Sequence, residues 1–338
     1  MKKMTFVLLL LLIATPALAE NAEPQVKLVK GNNKIDVLIA GRLFTSYIFG
    51  EELPKPSLVP VRTPGGIEVS RRHPLVEMKG GTDDHLHHVG LWFAVDNVNG
   101  ADFWNNTETS PQIRHIKTTK MTQGKAKATL ATLIQWIDDD GKLLLLENRK
   151  MTFLAGEHQN EYAIDFTTKL TAKDTKVTFD DTEEGVFAIR LADCLRESGP
   201  AVLPKKNAPL PEESVEGTGR YFSSNGDQTA ENVWGKRARW VALQGVKAGN
   251  VVGVAILNHP QSINYPTYWH VRDYGLFSAN PLGQGDFQRQ HENRINPIIP
   301  LHLTLEPGES SYFRFRVIVF EGLRTPEQIE QRFKEFTK

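Results

Sequence analysis

Three of the ten histidines fall within four residues, in Thr82-Asp83-Asp84-His85-Leu86-His87-His88-Val89-Gly90-Leu91-Trp92-Phe93. If Asp84 to His88 is extended, His85 and His87 project from one face and His88 from the other. Two imidazoles on one face can ligate a metal, act as an acid/base pair or hydrogen-bond a polyhydroxylated ligand. The plainer alternative is that some of them support a turn, and it weighs most for His88. A second cluster runs His259-Pro260, Tyr265-Pro266-Thr267-Tyr268-Trp269-His270-Val271-Arg272-Asp273-Tyr274-Gly275, ending in Asn280-Pro281-Leu282-Gly283. Aromatic rings stack on sugar rings while Arg, His and Asp reach hydroxyls, so this composition suits a carbohydrate cleft. The alternative is an aromatic loop that only covers a sheet. A third segment, Asp181-Thr182-Glu183-Glu184-Gly185-Val186-Phe187-Ala188-Ile189-Arg190, turns a carboxylate run into a strand that carries an arginine. Glu184 with a nearby cation is a candidate general base, and a structural ion pair with Arg190 is the competing role. Asn99-Gly100 is first a turn, with Asp102 and Trp104 as secondary ligand contacts.

The expected catalytic set is therefore His85, His87, Glu184, His270 and Arg272. His88, Trp92, Asp102, Trp104, Arg190, His259, Trp269 and Tyr274 are expected to contact substrate, with Trp92, Trp104 and Trp269 as walls. No cofactor is demanded by spacing. A divalent metal on His85 and His87, completed by His270 or Glu184, is the alternative to a metal-free site in which Asp84 fixes the His85 tautomer. Asp138 to Asp140 or Asp181 to Glu184 can offer oxygens to Ca²⁺. Gly-rich phosphate loops, a Gly-x-Ser-x-Gly elbow and a His-Glu-x-x-His pair are missing, and the lone Cys194 reads as packing.

These residues need a scaffold, and the sequence reads as an all-β one. Apolar runs rich in Val, Ile, Phe, Tyr and Thr, bounded by Gly, Pro, Asn or Asp, recur from Ile35 onward. Arg114 to Thr122, Ala126 to Ile137 and Lys142 to Leu154 form a meander joined at Gln123-Gly124-Lys125 and Asp138-Asp139-Asp140-Gly141. Glu161 to Thr171 and Val177 to Phe179 continue it. Trp240 to Leu243, Val251 to Leu257, Leu301 to Leu305 and Ser311 to Phe320 repeat the pattern, with a turn at Pro307-Gly308. Helix signals are confined to the end: Thr325 caps, Pro326 opens, Gln328 completes a capping box, and Ile329, Phe333 and Phe336 share a face. Glu197 to Asp227, rich in proline, reads as a flap over one face of the sheet. The expected architecture is a large antiparallel β-sandwich, a single domain over 34–338 with a helix at 325–337, after a polar lead-in at 20–33.

Charge excludes some partners. The chain has 338 residues with 40 Lys+Arg against 40 Asp+Glu, and no basic run marks a nucleic-acid or acidic-membrane surface. Lys2 and Lys3, the apolar run Phe6 to Ala14 and Ala17-Leu18-Ala19 form a secretory leader, residues 1–19, cleaved after Ala19. Removing it takes away two lysines, leaving 38 basic against 40 acidic residues, a balance of −2. No later segment is apolar enough to span a bilayer. The expectation is a periplasmic or secreted protein.

The run His85-x-His87-His88-x-Gly90-Leu91-Trp92-Phe93, then Val98-Asn99-Gly100-x-Asp102-Phe103-Trp104, Glu184-Gly185 with Arg190, Val233-Trp234-Gly235, His259-Pro260 and Pro266-Thr-x-Trp269-His270-x-Arg272-x-Tyr274-Gly275 resembles the exported bacterial proteins labelled PmoA-like. The resemblance covers about 40 to 325. That label alludes to a subunit of membrane methane monooxygenase, which crosses the bilayer several times, so the monooxygenase activity is not expected here. The resemblance implies a family of essentially uncharacterised function from polysaccharide-degrading bacteria, with an architecture similar to the galactose mutarotase-like supersandwich. Where the pattern has a basic residue after the paired histidines this chain has Val89, so no phosphate or carboxylate site is implied there. Two function classes follow: a carbohydrate-active enzyme (epimerase, lyase or hydrolase) using His/Glu acid-base chemistry, or a glycan-binding protein without turnover.

Overall fold

The structure is a computed structural model that describes residues 23–51, 53–77, 81–108, 111–156, 158–197, 217–290 and 297–338. The leader and residues 198–216 of the expected flap lie outside the described residues. Among the described residues the chain is mostly β, with two large antiparallel sheets. The first has nine strands in the order Tyr268–Val271, Leu276–Asn280, Gly185–Arg190, Leu91–Val95, Ser57–Leu58, Arg42–Ile48, Lys34–Ile39, Gln25–Gly31 and Gly124–Lys125. The second has eight: Arg220–Ser223, Trp240–Lys247, Asn250–Asn258, Ser310–Glu321, Glu161–Ala172, Leu143–Ala155, Lys127–Ile137 and Gln112–Thr122.

Period-two alternation decides which way each strand faces. Along Lys127–Ile137 every second residue is buried, as expected for a strand with one face on a core. Between the sheets Phe187 stacks on Phe315 at 4.8 Å and lies 4.6 Å from Phe166, and Phe93 meets Phe313 at 5.2 Å. The meander turns form as read, with Asp138 Oδ1 accepting from the Asp140 and Lys142 amides at 3.1 and 2.8 Å. The C-terminal helix Pro326–Thr337 carries the full Thr325/Gln328 capping box and buries Ile329, Phe333 and Phe336. They pack on Phe222, Trp240, Leu257 and Phe320, on the face of the eight-stranded sheet turned away from the sandwich core.

Two expectations need correcting. The sheet begins inside the stretch read as a polar lead-in: Gln25–Gly31 pairs antiparallel with Lys34–Ile39, burying Val26 and Leu28 between exposed polar neighbours that hid the alternation. Helix is also not confined to the C-terminus, since Ala230–Val233 and Gln284–Gln290 form short helices. No helix among the described residues is long and apolar enough to cross a membrane.

Candidate functional site

Register across the nine-stranded sheet gathers the site. His270 pairs with Ser278, Ser278 with Ala188, Ala188 with Trp92 and Trp92 with Ser57, so this row shares one face. Phe187, one residue from Ala188, points into the sandwich core, so the row lies on the sheet's other, outer face. Trp269 alternates inward with Phe187, packing 5.9 Å from Phe277 and donating its indole N–H to the Ala238 carbonyl at 3.0 Å. It is core and not a wall. Ala188 and Ser278 are small and fully buried, and charged residues gather at both ends of the Gly185–Arg190 strand.

At the Arg190 end, Asp84 to His88 is a tight turn and not the expected extended segment. His88 N–H bonds the His85 carbonyl at 2.9 Å, and His85 has φ +47°. The chain then enters its strand through Gly90, at φ +59°, where a Cβ would lie 2.4 Å from the Leu58 carbonyl oxygen, so only glycine fits. The turn packs three imidazoles together: His85 stacks on His88 at 4.8 Å and His87 meets His88 at 4.3 Å. His88 is buried and stacks in turn on Trp92 at 5.1 Å, with Trp104 edge-on at 5.8 Å. Trp92 and Trp104 are therefore the floor beneath the histidines, sealed from solvent, and not walls.

Asp84 organises this end. Its Oδ1 accepts from Arg71 Nη1 at 2.8 Å and Arg190 Nη2 at 2.7 Å, and its Oδ2 contacts His85 Nδ1. Burial alone would raise the Asp84 pKa, but the bond from His85 and the two guanidiniums hold it well below the usual carboxylate range. Ionised Asp84 fixes His85 with its Nδ1–H inward, which turns Nε2 outward on an exposed ring stacked 4.8 Å from Tyr274. Arg190 is fully buried, lies 4.7 Å from the Tyr274 ring and donates to His88 Nδ1 at 3.3 Å, so the neutral His88 carries its proton on Nε2. Burial first, then the neighbouring basic groups His87, Arg190, His85 and Arg71, keeps His88 well below its ordinary pKa. His87 is likewise neutral, pushed down to about 3 by burial and then by Lys55.

At the Glu184 end the arrangement is reversed. Burial, then the like charge of Glu183, pushes Glu184 up to about 7 against the pull of Arg272, with Asp96 and Asp102 adding to the rise. Asp96, whose amide bonds the Glu184 carbonyl at 2.9 Å, is itself pushed up to about 6 by burial and then by Asp102. Asp102 belongs to this carboxylate group and also ties its own turn, accepting from the Trp104 and Asn105 amides at 3.0 and 2.8 Å. Tyr274 sits between the two ends. Burial lifts its phenol to about 12, and it senses Arg190, Glu184, Arg272 and Asp84.

His270 is locked. Its Nδ1–H donates to the Glu183 carbonyl at 2.6 Å and its Nε2 accepts from Arg272 Nε at 2.9 Å, while Arg272 Nη2 reaches Glu183 at 3.0 Å. An arginine can only donate, so the ring is neutral, and burial then Arg272 push its pKa down to about 3. Its 3.9 Å approach to Glu184 is too long for a hydrogen bond and, with a neutral ring, is not an ion pair. Both ring nitrogens of His270 are engaged, one on Arg272, so this ring, one of three histidines read from sequence as candidate acids, has no free nitrogen to offer. His259 does not reach the site, because its ring packs 5.0 Å from Phe336 of the C-terminal helix and its Nδ1 accepts from the Gln261 amide at 3.0 Å.

Any metal would meet a different donor set from the one expected. Glu183, Glu184 and His270 bring one ligand atom each within 4.8 Å of one another. Arg272 already bonds two of the three, Glu183 and His270, and supplies the cation there. His85 has Nδ1 committed to Asp84, and His87 faces Lys55 and Arg71. Asp181 is spent structurally, accepting from the Gly285, Leu301 and His302 amides at 2.6 to 2.8 Å.

Sequence reasoning missed Arg71, Asp96 and Lys55, and named Glu183 only within the run that could offer oxygens to Ca²⁺. Glu183 stood beside Glu184 in a visible carboxylate run, and Asp96 closes the apolar run Leu91–Val95. Lys55 gave no signal, yet it is buried and donates to Phe103 and Trp104 carbonyls and Asn106 Oδ1 at 3.2, 2.5 and 2.7 Å. Burial pushes it down to about 7, and it holds the Asp102 loop in place. A cleft of about 510 Å³, lined by Glu197, Thr229, Ala230, Glu231, Trp234, Val271, Arg272 and Asp273, adjoins this end. Arg272 is the one member of the acid-base group on its wall.

The sequence profile of a family of unknown function, DUF6807, matches residues 34–334. The chain belongs to that family. No curated protein matches this DUF6807 chain. Among solved structures it is similar to a galactose mutarotase related enzyme from Lactobacillus acidophilus, at 10% identity and TM-score 0.33, covering 89% of this chain and 98% of that one. It is similar to a putative aldose 1-epimerase from Escherichia coli K12, at 7% identity and TM-score 0.34, covering 89% and 100%. The galactosidase domain of an alpha-galactosidase-sucrose kinase matches at 12% identity and TM-score 0.40, over 88% of this chain and 42% of that one.

Proposed function

We propose that this DUF6807 chain is an exported enzyme that moves protons on a sugar or sugar derivative held over the outer face of the nine-stranded sheet. The observation that carries this reading is the pair of opposed carboxylates on either side of Tyr274. Asp84 is ionised and clamped on His85, whereas Glu184 sits at about 7. A proton carrier works best as acid and base when its pKa lies near ambient pH. In this reading Glu184 gives and takes the proton at the reacting centre, and His85 offers Nε2 as the second carrier from the other side of Tyr274. Arg272 stabilises charge that develops on oxygen, with His270 and Glu183 holding it in place. Asp102, Tyr274 and His87 reach hydroxyls, while His88, Trp92, Trp104 and Arg190 support the floor. The resemblance to exported PmoA-like proteins of polysaccharide-degrading bacteria agrees with a sugar ligand and with a leader cleaved after Ala19.

A second reading, glycan binding without turnover, is favoured by the locked, neutral His270. An NMR screen against mono- and disaccharides, including oxidised sugars, separates the two. Anomeric exchange or bond cleavage that Glu184→Gln abolishes is the expected outcome. Binding with no turnover of any sugar, unchanged in Glu184→Gln, would sink the enzyme reading.

A further inference from the structure

The cleft beside Arg272 is not needed to hold a single sugar ring over Tyr274, yet it shares Arg272 with the acid-base group. Its volume of about 510 Å³ falls within the size range of small-molecule sites, roughly 300 to 1,000 Å³. Its lining is unusual for a packing defect. Voids of that kind are apolar, whereas this one has three carboxylates, a hydroxyl, a guanidinium and an indole, with only Ala230 and Val271 as plain apolar residues. The rim is also held under strain. Thr229, a β-branched residue, has φ 72° and ψ 154°, a region populated almost only by glycine. It is kept there by its amide on the Tyr221 carbonyl at 3.2 Å and by Asn232 Nδ2 on its hydroxyl at 3.1 Å. Glu197 braces the same wall, accepting from the Tyr221 and Ala230 amides at 3.1 and 2.7 Å. Arg272 joins cleft and site: its guanidinium lies 5.1 Å from the Trp234 ring while its nitrogens bond His270 and Glu183.

We propose that this cleft is a glycan subsite for the sugar units next to the reacting one, so that the substrate is a neutral or amino-sugar oligosaccharide in preference to a free monosaccharide or a uronate chain. This rests on the sugar reading of the acid-base site and names its substrate class. Hydroxyls find paired acceptors on Glu231, Asp273 and Thr229, and a ring edge finds Trp234. Selection against uronates follows from charge. Glu197, Glu231 and Asp273 outnumber Arg272, whose charge is already matched by Glu183. A ligand carboxylate in the cleft would lie within one Debye length, about 8 Å at physiological ionic strength, of several like charges.

The test is calorimetric titration of the full chain with glucose, cellotetraose, chitotetraose and tetragalacturonate, repeated on Glu231→Lys and Trp234→Ala. The tetrasaccharide of neutral or amino sugar should bind at least tenfold tighter than the monosaccharide, and tetragalacturonate should gain nothing from its length. Glu231→Lys, at an exposed position on the rim, should raise tetragalacturonate affinity about tenfold at low salt. Trp234→Ala should bring the tetrasaccharide-to-monosaccharide ratio close to one. Equal affinity for both lengths, or a uronate preference in the unmodified chain, would overturn the subsite even if monosaccharides are turned over. A length gain without turnover would keep the subsite and sink the enzyme reading instead. Absence of binding by every sugar would remove both.

Discussion

The two ends of the Gly185–Arg190 strand each present a carboxylate to Tyr274, and they are wired in opposite ways. At the Arg190 end Asp84 sits between Arg71, Arg190 and His85 and is held ionised. At the Glu184 end the neighbours are Glu183, Asp96 and Asp102, and the single arginine, Arg272, spends its bonds on Glu183 and His270. Both carboxylates are half-buried, at 31% and 32% side-chain exposure, so depth does not separate them. What separates them is the sign of the charge packed alongside. Cations override burial at the first and make it a fixed anchor, whereas at the second burial, reinforced by Glu183, leaves a group that changes protonation near neutral pH.

The largest effect should come from removing the titrating partner. With any sugar that is turned over, Glu184→Gln should lower kcat/KM by about 10²- to 10⁴-fold, or about 3 to 5 kcal/mol of barrier. It should also erase a pH limb near 7, as read by the kcat/KM profile. A limb that survives the substitution would assign the titration elsewhere. Next, Asp84→Asn should lower unfolding free energy by about 2 to 3 kcal/mol in urea, because buried Arg190 loses its carboxylate. That is less than the roughly 3 to 5 of a fully sealed pair, since Asp84 is partly solvated. An unchanged midpoint would mean Asp84 anchors nothing.

The pH dependence of stability should carry opposite signs at the two ends. Glu184 and Asp96 have folded pKa values of about 7 and about 6, above their ordinary 4.5 and 3.8. The stability tied to their protonated forms is complete below those ordinary values and is lost as pH rises through about 6 and 7. Asp84 is depressed, so its contribution is present above about 3.8 and is lost as the solution is acidified through its folded pKa. Urea midpoints across pH should therefore flatten between about 4.5 and 7 in Glu184→Gln, by about 1 to 2 kcal/mol after discounting for solvent. The acid limb should weaken only in Asp84→Asn. The smallest effect sharpens the boundary of the site: His259→Ala should leave turnover within twofold and cost about 1 kcal/mol of stability, because its ring packs on Phe336. A large catalytic loss there would return His259 to the site.

Much of the scaffold was legible in short windows. The meander strands, the Asp138 turn and the Thr325 cap depend on residues a few positions apart, and each appears within a few residues of where the pattern put it. Where the pattern was weak the reading failed. Gln25–Gly31 buries only Val26 and Leu28, and the two short helices have too few residues to show a period.

For the site, sequence alone determined the cast. A carboxylate run before a strand, three clustered histidines and an aromatic segment with His270 and Arg272 are statements about composition; of them His85 stacks on Tyr274, and Glu184 and Arg272 act on its phenol. Only the tertiary structure decided what each residue does. Whether Trp269 faces ligand or core depends on which sheet face is covered, and His85 to His88 is a turn closed by the His88 amide on the His85 carbonyl, not the extended segment that alternation suggests. The protonation of Glu184 depends first on burial and then on Glu183, with Arg272, Asp96 and Asp102 brought alongside from elsewhere in the chain. Backbone propensity acts between near neighbours and can be read along a sequence, whereas a pKa is set by charges and burial across space.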